Sequence, residues 1–298
     1  MEDNKCLKEA TNSIYELKGN KIIITNKTDF NIKHILECGQ IFRYEKLGSG
    51  EYVVLVGNKF AKIAEYEQGY IIEAKDAPFF VNFFDLGTDY GKIKRQLINY
   101  SNTFLNKAIN FGSGIRILKN LPFEMIISFI ISANNNIPRI KKSIKLICQN
   151  YGKRIGENYY AFPTLSQLLK ADENFFRSIG LGYRAPYLVE TIKMLKSVNF
   201  NALKQLDTAK LREQLIKLKG VGRKVADCIM LFGFNRMDVF PIDTWTNKVY
   251  LDYFYSGDKT RPQIANYFTS FFGILSGYAQ QYLYYWKQQE EGKNKNKN

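Results

Sequence analysis

The chain is poor in the residues that most often carry metal and acid–base chemistry. It holds one histidine, His34, among 298 residues. A His-based triad, a histidine zinc site or a histidine general base is therefore not expected. Its four cysteines, Cys6, Cys38, Cys148 and Cys228, stand far apart with no CxxC or metal-ligand spacing. That usage points to a reducing compartment and not to a disulfide framework. No apolar run approaches the roughly 20 residues of a membrane span, and no charged-then-apolar leader opens the sequence. These absences lead us to expect a soluble, cytoplasmic monomer without metal, cofactor or membrane contact. Acidic residues are short as well: 28 Asp plus Glu against 43 Lys plus Arg give a formal charge of +15. An excess of that size points to a polyanionic partner, nucleic acid ahead of a membrane surface.

What is present reads as an α+β protein. Hydrophobic and charged contents of 45% and 24% suit a folded chain with a sizeable core. Residues 1–13 are polar and expected to be flexible. From Ile14 to Ala74, β-branched and aromatic residues alternate with Gly-Asn, Gly-Ser-Gly and Gln-Gly. This predicts an antiparallel sheet with hairpins, crossed by a helix near Asn31–Glu37. Beyond Pro78 the period changes and most segments read as helices, among them Pro122–Ser132, Arg139–Tyr151, Thr208–Leu218, Arg223–Gly233, Thr244–Phe254 and Gly277–Gln288. The expected organisation is a β-rich unit over 14–110 and a helical unit over 111–286. The polar tail 287–298 is expected to be disordered. There is no internal repeat.

The most informative stretch is Leu218–Trp245, LKGVGRKVADCIMLFGFNRMDVFPIDTW. Gly220-Val221-Gly222 forms a tight turn whose glycines can take positive φ and expose backbone N–H groups. At a helix start such amides, joined by that of Val225, make an anion site suited to a phosphate. Lys224 and Cys228, four apart, share one helical face. Asp243, after Pro241-Ile242, stands at the N-cap of another helix. Each piece alone has a plainer reading: a turn, a solvated lysine, a small core cysteine, a cap. Their joint occurrence in one order within thirty residues favours a site.

That order resembles the helix-hairpin-helix plus Gly/Pro-Asp motif of the DNA glycosylase superfamily. VGRKVADC followed by PIDTW looks most like its 8-oxoguanine DNA glycosylase branch, and the resemblance spans nearly the whole chain. It implies a β-rich N-terminal unit ahead of a helical body, duplex DNA containing oxidised guanine as partner, and bifunctional glycosylase and apurinic-site lyase activity. Lys224 would attack the sugar's anomeric carbon, displace the damaged base, hold the sugar as a Schiff base and cut the strand by β-elimination. Asp243 would stabilise the oxocarbenium character that develops at the sugar. Arg223 beside Lys224, and the helix start, are expected to depress the lysine's pKa. Some helix-hairpin-helix glycosylases carry a C-terminal iron–sulfur loop with clustered cysteines, and nothing after Cys228 could build one here.

Three further segments match. The asparagine run after FEMIISFIIS supplies Asn134, which the resemblance places in the space the flipped base vacates, and Arg139, which would read the unpaired cytosine. Gly180-Leu181-Gly182-Tyr183-Arg184 supplies Tyr183 as a wedge and Arg184 as a second cytosine contact. In CGQIFR, the Gly39 carbonyl would face the proton that 8-oxoguanine carries on nitrogen 7 and guanine lacks. In GYAQQYLY, Gln280 would bond the base's pairing edge and Tyr284 would stack on it, with Cys228 across the ring. Tyr284 stands where phenylalanine is common. Trp245 stands where eukaryotic members have a histidine near the DNA backbone, and Arg223 replaces a small polar residue. The alternatives are a monofunctional alkylated-base glycosylase on the same fold, which would not need Lys224, and a non-catalytic helix-hairpin-helix DNA-binding module.

Overall fold

A computed structural model describes residues 14–67 and 69–295, so the expected flexible segment 1–13 and the last three residues of the tail lie outside it. The N-terminal part folds as one six-stranded antiparallel sheet. Its strands are β1 (Tyr15–Lys18), β2 (Lys21–Ile24), β3 (Tyr44–Lys46), β4 (Tyr52–Val56), β5 (Lys59–Tyr66) and β6 (Gly69–Ala74). They lie in the order β1-β2-β6-β5-β4-β3. The register aligns Ile22 with Ile72 and Ile72 with Ile63, all three buried on one face. One residue along, Lys21 and Lys62 both face Glu73 on the wet side, with Lys21 Nζ 2.7 Å from its carboxylate. The two-residue period of the sequence thus becomes one dry and one charged face.

The dry face is covered by the expected helix, Ile32–Glu37 with Asn31 as cap, and by a helix Ala77–Phe83 that contributes Phe80 and Phe83. Arg116 is wholly buried beneath them. Its guanidinium donates to the carbonyls of Phe84 (3.0 Å), Asp29 (3.0 Å), Thr88 (2.8 Å) and Asp85, and lies 4.1 Å from the Tyr90 ring centre. A buried arginine survives only with its donors satisfied.

The helical body is built around Pro122–Ser132 and Arg223–Gly233, both buried along nearly their whole length. Phe129 and Phe232 stack between them, ring centres 5.6 Å apart. The sheet is pinned to this body by a buried ion pair, Arg43 to Glu124 at 3.2 Å. Glu124 also accepts from the Gly57 amide at 2.8 Å, and Arg43 donates to the Tyr160 carbonyl at 2.6 Å.

Two sequence expectations give way here. Tyr90, Ile93, Leu97, Leu105 and Ile109, expected to belong with the sheet, pack instead with the C-terminal helices around Phe268, Tyr282 and Leu283. The alternation that defines the sheet has already ended at Ala74, and their helical faces need another partner. The last helix, Ser276–Lys295, also runs well past the point where the chain was expected to lose order. Lys287 explains the first part of that extension. Its buried ammonium meets Asp252 (3.0 Å), Glu290 (3.1 Å) and Glu291 (3.4 Å), which fixes the helix onto its neighbour Thr244–Tyr253. No helix among the described residues is long and apolar enough to cross a membrane.

Candidate active site

The hairpin that presents Lys224 joins the helices Thr208–Ile216 and Arg223–Gly233. Gly220 turns the chain with φ +78°, and a Cβ there would come within 3.0 Å of the Tyr187 side chain. Thr191 anchors the turn by donating to the Lys219 carbonyl at 2.8 Å. Gly222 caps the second helix with no side chain, so the first-turn N–H groups are left to an outside anion. Val221 and Val225 are buried. The Val221 amide donates to the Leu218 carbonyl at 3.1 Å, so the DNA contact expected of that amide is not open in this state, and of the two only the Val225 amide, in the first helical turn, is left without a partner among the described residues.

One cleft of about 830 Å³ gathers Gly39, Asn134, Lys224, Val225, Asp243 and Tyr284, with Phe129, Trp245, Arg261 and Gln288 beside them. Adjoining it, a small cavity of about 50 Å³ is lined by Gly39, Lys224, Cys228, Asp243, Gln280 and Tyr284. The pocket residues quoted from three distant segments therefore surround one point. Gly39 has φ +78°, and a Cβ on it would meet the Tyr284 hydroxyl at 3.0 Å. Gln288 donates to that hydroxyl at 3.2 Å. Gln280 is buried with its side-chain oxygen unpaired, an acceptor directed at no described residue. Tyr282 and Tyr285 are core residues, which leaves Tyr284 as the tyrosine of that run facing the cavity.

Asp243 is held by a reciprocal cap. Its Oδ1 accepts from the Thr246 amide at 2.9 Å, and its own amide donates to the Thr246 hydroxyl at 2.9 Å. Oδ2 has no hydrogen-bond partner among the described residues, so one carboxylate oxygen stays available to the cleft. Lys224 sits 5.9 Å above the Phe129 ring. Its ammonium is held above the ordinary lysine value, first by the Cys228 sulfur, with Asp243 adding to the rise while burial and Arg261 oppose it. Burial drives the Cys228 thiol itself up to about 11, so near neutral pH the sulfur is protonated and the lasting upward pull is that of Asp243. The expected depression of Lys224 is thus not found in the unliganded protein. Arg223, which was to supply it, is turned away: it donates to Asn266 at 2.5 Å and lies 3.8 Å from Asp227.

The residues expected to manage the opposite strand lie around the rim. Asn134 is exposed, at φ +48°. Arg184 is buried, with Nε 2.6 Å from the Ala133 carbonyl and Nη2 2.5 Å from that of Asn134. It is a brace for the asparagine loop in this state, where the resemblance implies a contact to the cytosine. Tyr183 is half exposed against the Arg184 guanidinium. Arg139 is exposed, and its guanidinium makes no bond to a described residue. Sequence reasoning passed over Phe129, Arg261 and Gln288, whose placement depends on packing between remote segments. Among the described residues no His, Cys, Asp and Glu cluster is placed to hold a metal.

Comparison with known proteins agrees with this geometry. The profile of the 8-oxoguanine DNA glycosylase N-terminal domain matches residues 22–126, and that of the HhH-GPD superfamily of base excision DNA repair proteins matches residues 127–272. An N-glycosylase/DNA lyase of Saccharomyces cerevisiae is 32% identical over 75% of this chain and 68% of its own length. One from Arabidopsis thaliana is 28% identical over 86% and 77%. The structure of Clostridium acetobutylicum 8-oxoguanine glycosylase/lyase, bound to duplex DNA with cytosine opposite 8-oxoguanine, superposes with a TM-score of 0.87 and 37% identity. It covers 93% of this chain and 98% of that one. With both halves of the chain matched and the motif residues converging on one cleft, the protein belongs to the 8-oxoguanine DNA glycosylase family of the helix-hairpin-helix Gly/Pro-Asp superfamily.

Proposed function

We propose that this protein, acting as a monomer, excises 8-oxoguanine from duplex DNA and nicks the strand with Lys224 as nucleophile. The observation that carries the reading is the meeting of Lys224, Asp243, Cys228, Gln280, Gly39 and Tyr284 at one cavity built from a single chain. A cavity of about 50 Å³ is too small for a purine, so Tyr284 moves aside as the flipped base enters between its ring and Cys228. Gln280 then gains the partner its side-chain oxygen lacks. The Gly39 carbonyl accepts the proton on nitrogen 7; facing guanine's lone pair instead would cost roughly 1–3 kcal/mol.

The neutral Lys224 amine attacks carbon 1′, the bond to the base breaks, and the base leaves with the electron pair and takes up a proton. Asp243 offsets the positive charge that builds on the sugar as this bond lengthens. The sugar ring opens to a Schiff base on Lys224. Loss of a proton from carbon 2′ then expels the 3′ phosphate and cuts the strand. Asn134 fills the vacated stack, Tyr183 opens the step, and Arg139 reads the orphaned cytosine, joined by Arg184 if it leaves the loop carbonyls. The amides of Gly220, Gly222 and Val225 hold a backbone phosphate, while that of Val221 closes the turn on the Leu218 carbonyl.

The test is single-turnover base release from duplexes holding 8-oxoguanine opposite each of the four bases, with undamaged guanine as control. Release from the lesion, fastest opposite cytosine, with that preference reduced in Arg139→Ala, is the expected result. Equal rates opposite all four bases would remove the role of the arginines, and absence of release would remove the enzyme itself.

A further inference from the structure

A second cavity, of about 490 Å³, lies between β3, the helix Ile137–Tyr151 and the loop that carries Tyr159 and Tyr160. Of the residues that line the catalytic cleft it shares Phe42 alone. Its volume falls in the range of small-molecule sites. Its charge is one-sided: Lys46, Lys141, Lys142 and Lys145 line it against the single carboxylate of Glu45, while Arg43 is already paired with Glu124. Glu45 is itself taken by Lys145 at 2.9 Å.

Lys141 is the telling residue. It is partly buried, and its ammonium lies 3.6 Å from the Tyr44 ring centre with no ion pair or hydrogen bond among the described residues. Burial lowers its pKa, with Glu45 and Glu37 opposing. A cation partly withdrawn from water, with a ring in contact and no carboxylate bonded to it, gains from an anion that reaches it. The other lining groups suit something larger than a bare ion. Tyr159 offers a ring surface, and Gln149 and Asn158 bring amides that are exposed and unpaired among the described residues.

We propose that this cavity is a binding site for a nucleoside monophosphate, separate from the catalytic cleft. The phosphate sits on Lys141 and Lys142, the base lies against Tyr159, and the two amides meet its edge. The same chemistry could be offered by a free nucleotide or by nucleotides of bound DNA; the separation from the cleft favours the free one.

Equilibrium dialysis of the full chain with 2′-deoxyguanosine 5′-monophosphate tests this, with deoxyguanosine, inorganic phosphate and a lesion-free duplex in separate arms. Saturable one-to-one binding is expected, persisting when duplex saturates the cleft and weaker by roughly tenfold or more in Lys141→Gln. Unchanged base release by Lys141→Gln would show that the variant is folded, and Lys142→Gln, at an exposed position, gives an independent reading. The proposal is overturned if neither substitution weakens binding, if inorganic phosphate binds as tightly as the nucleotide, or if duplex displaces the nucleotide.

Discussion

Lys224 must be neutral to attack carbon, yet in the unliganded protein its surroundings favour the ammonium. Two neighbours set that balance in opposite senses. Asp243 holds the proton on, and Arg261, across the cleft mouth, works to remove it. Replacing each should move the pH dependence of Schiff-base formation in opposite directions. Asp243→Asn takes away an upward pull, so borohydride trapping on an abasic-site duplex should extend to lower pH. Arg261→Gln takes away a downward pull, so its profile should move to higher pH. Shifts of the same sign in both variants would contradict this electrostatic picture. Lys224 and Cys228 were legible in the sequence because a four-residue spacing puts them on one helical face. Arg261 was not, since it comes from a helix start some forty residues away that only packing brings to the cleft. Arg184 was legible as a residue but not in its state, because the carbonyls that occupy it belong to a loop fifty positions earlier.

At the scale of elements, the position of Asp243 depends on the start of the helix Thr244–Tyr253. The Thr246 hydroxyl accepts from the Asp243 amide, while the Thr246 amide donates back to Oδ1. Thr246→Val keeps the shape and removes one arm of this box. It should cost about 1 kcal/mol of stability, as lost caps do, and should slow base release by loosening the carboxylate while lesion-duplex affinity stays close to wild type. Unaltered release at reduced stability would show that the cap serves the helix alone. A second junction is the Arg43–Glu124 pair between sheet and body. Glu124→Ala leaves a buried guanidinium uncompensated, and a loss of roughly 3–5 kcal/mol is expected in denaturant unfolding. A loss below 1 kcal/mol would mean that water reaches Arg43. PIDTW announced the capped helix in the sequence. Arg43 and Glu124 are 81 positions apart, and nothing local in either segment foretold their pairing.

For the whole molecule, the charge of +15 and the fold were both visible early. Alternation up to Ala74 and helical periods beyond it were enough for an α+β reading, because one face of each element is dry. Where the segment around Tyr90–Ile109 packs was not readable, because an amphipathic helix does not name its partner. The charge excess carries its own prediction. Affinity for lesion-free duplex should fall linearly on a log–log plot against salt, with a slope near −0.9 for each phosphate neutralised. A salt-independent affinity would dissociate the basic surface from DNA binding.

The central claim is that Lys224 becomes covalently joined to the sugar. The direct measurement is incubation with a duplex holding one 8-oxoguanine opposite cytosine in the presence of sodium borohydride, run beside Lys224→Gln. The account predicts a trapped protein–DNA species in the wild type and none in the variant. Base release without any trapped species, or trapping that survives Lys224→Gln, would contradict it.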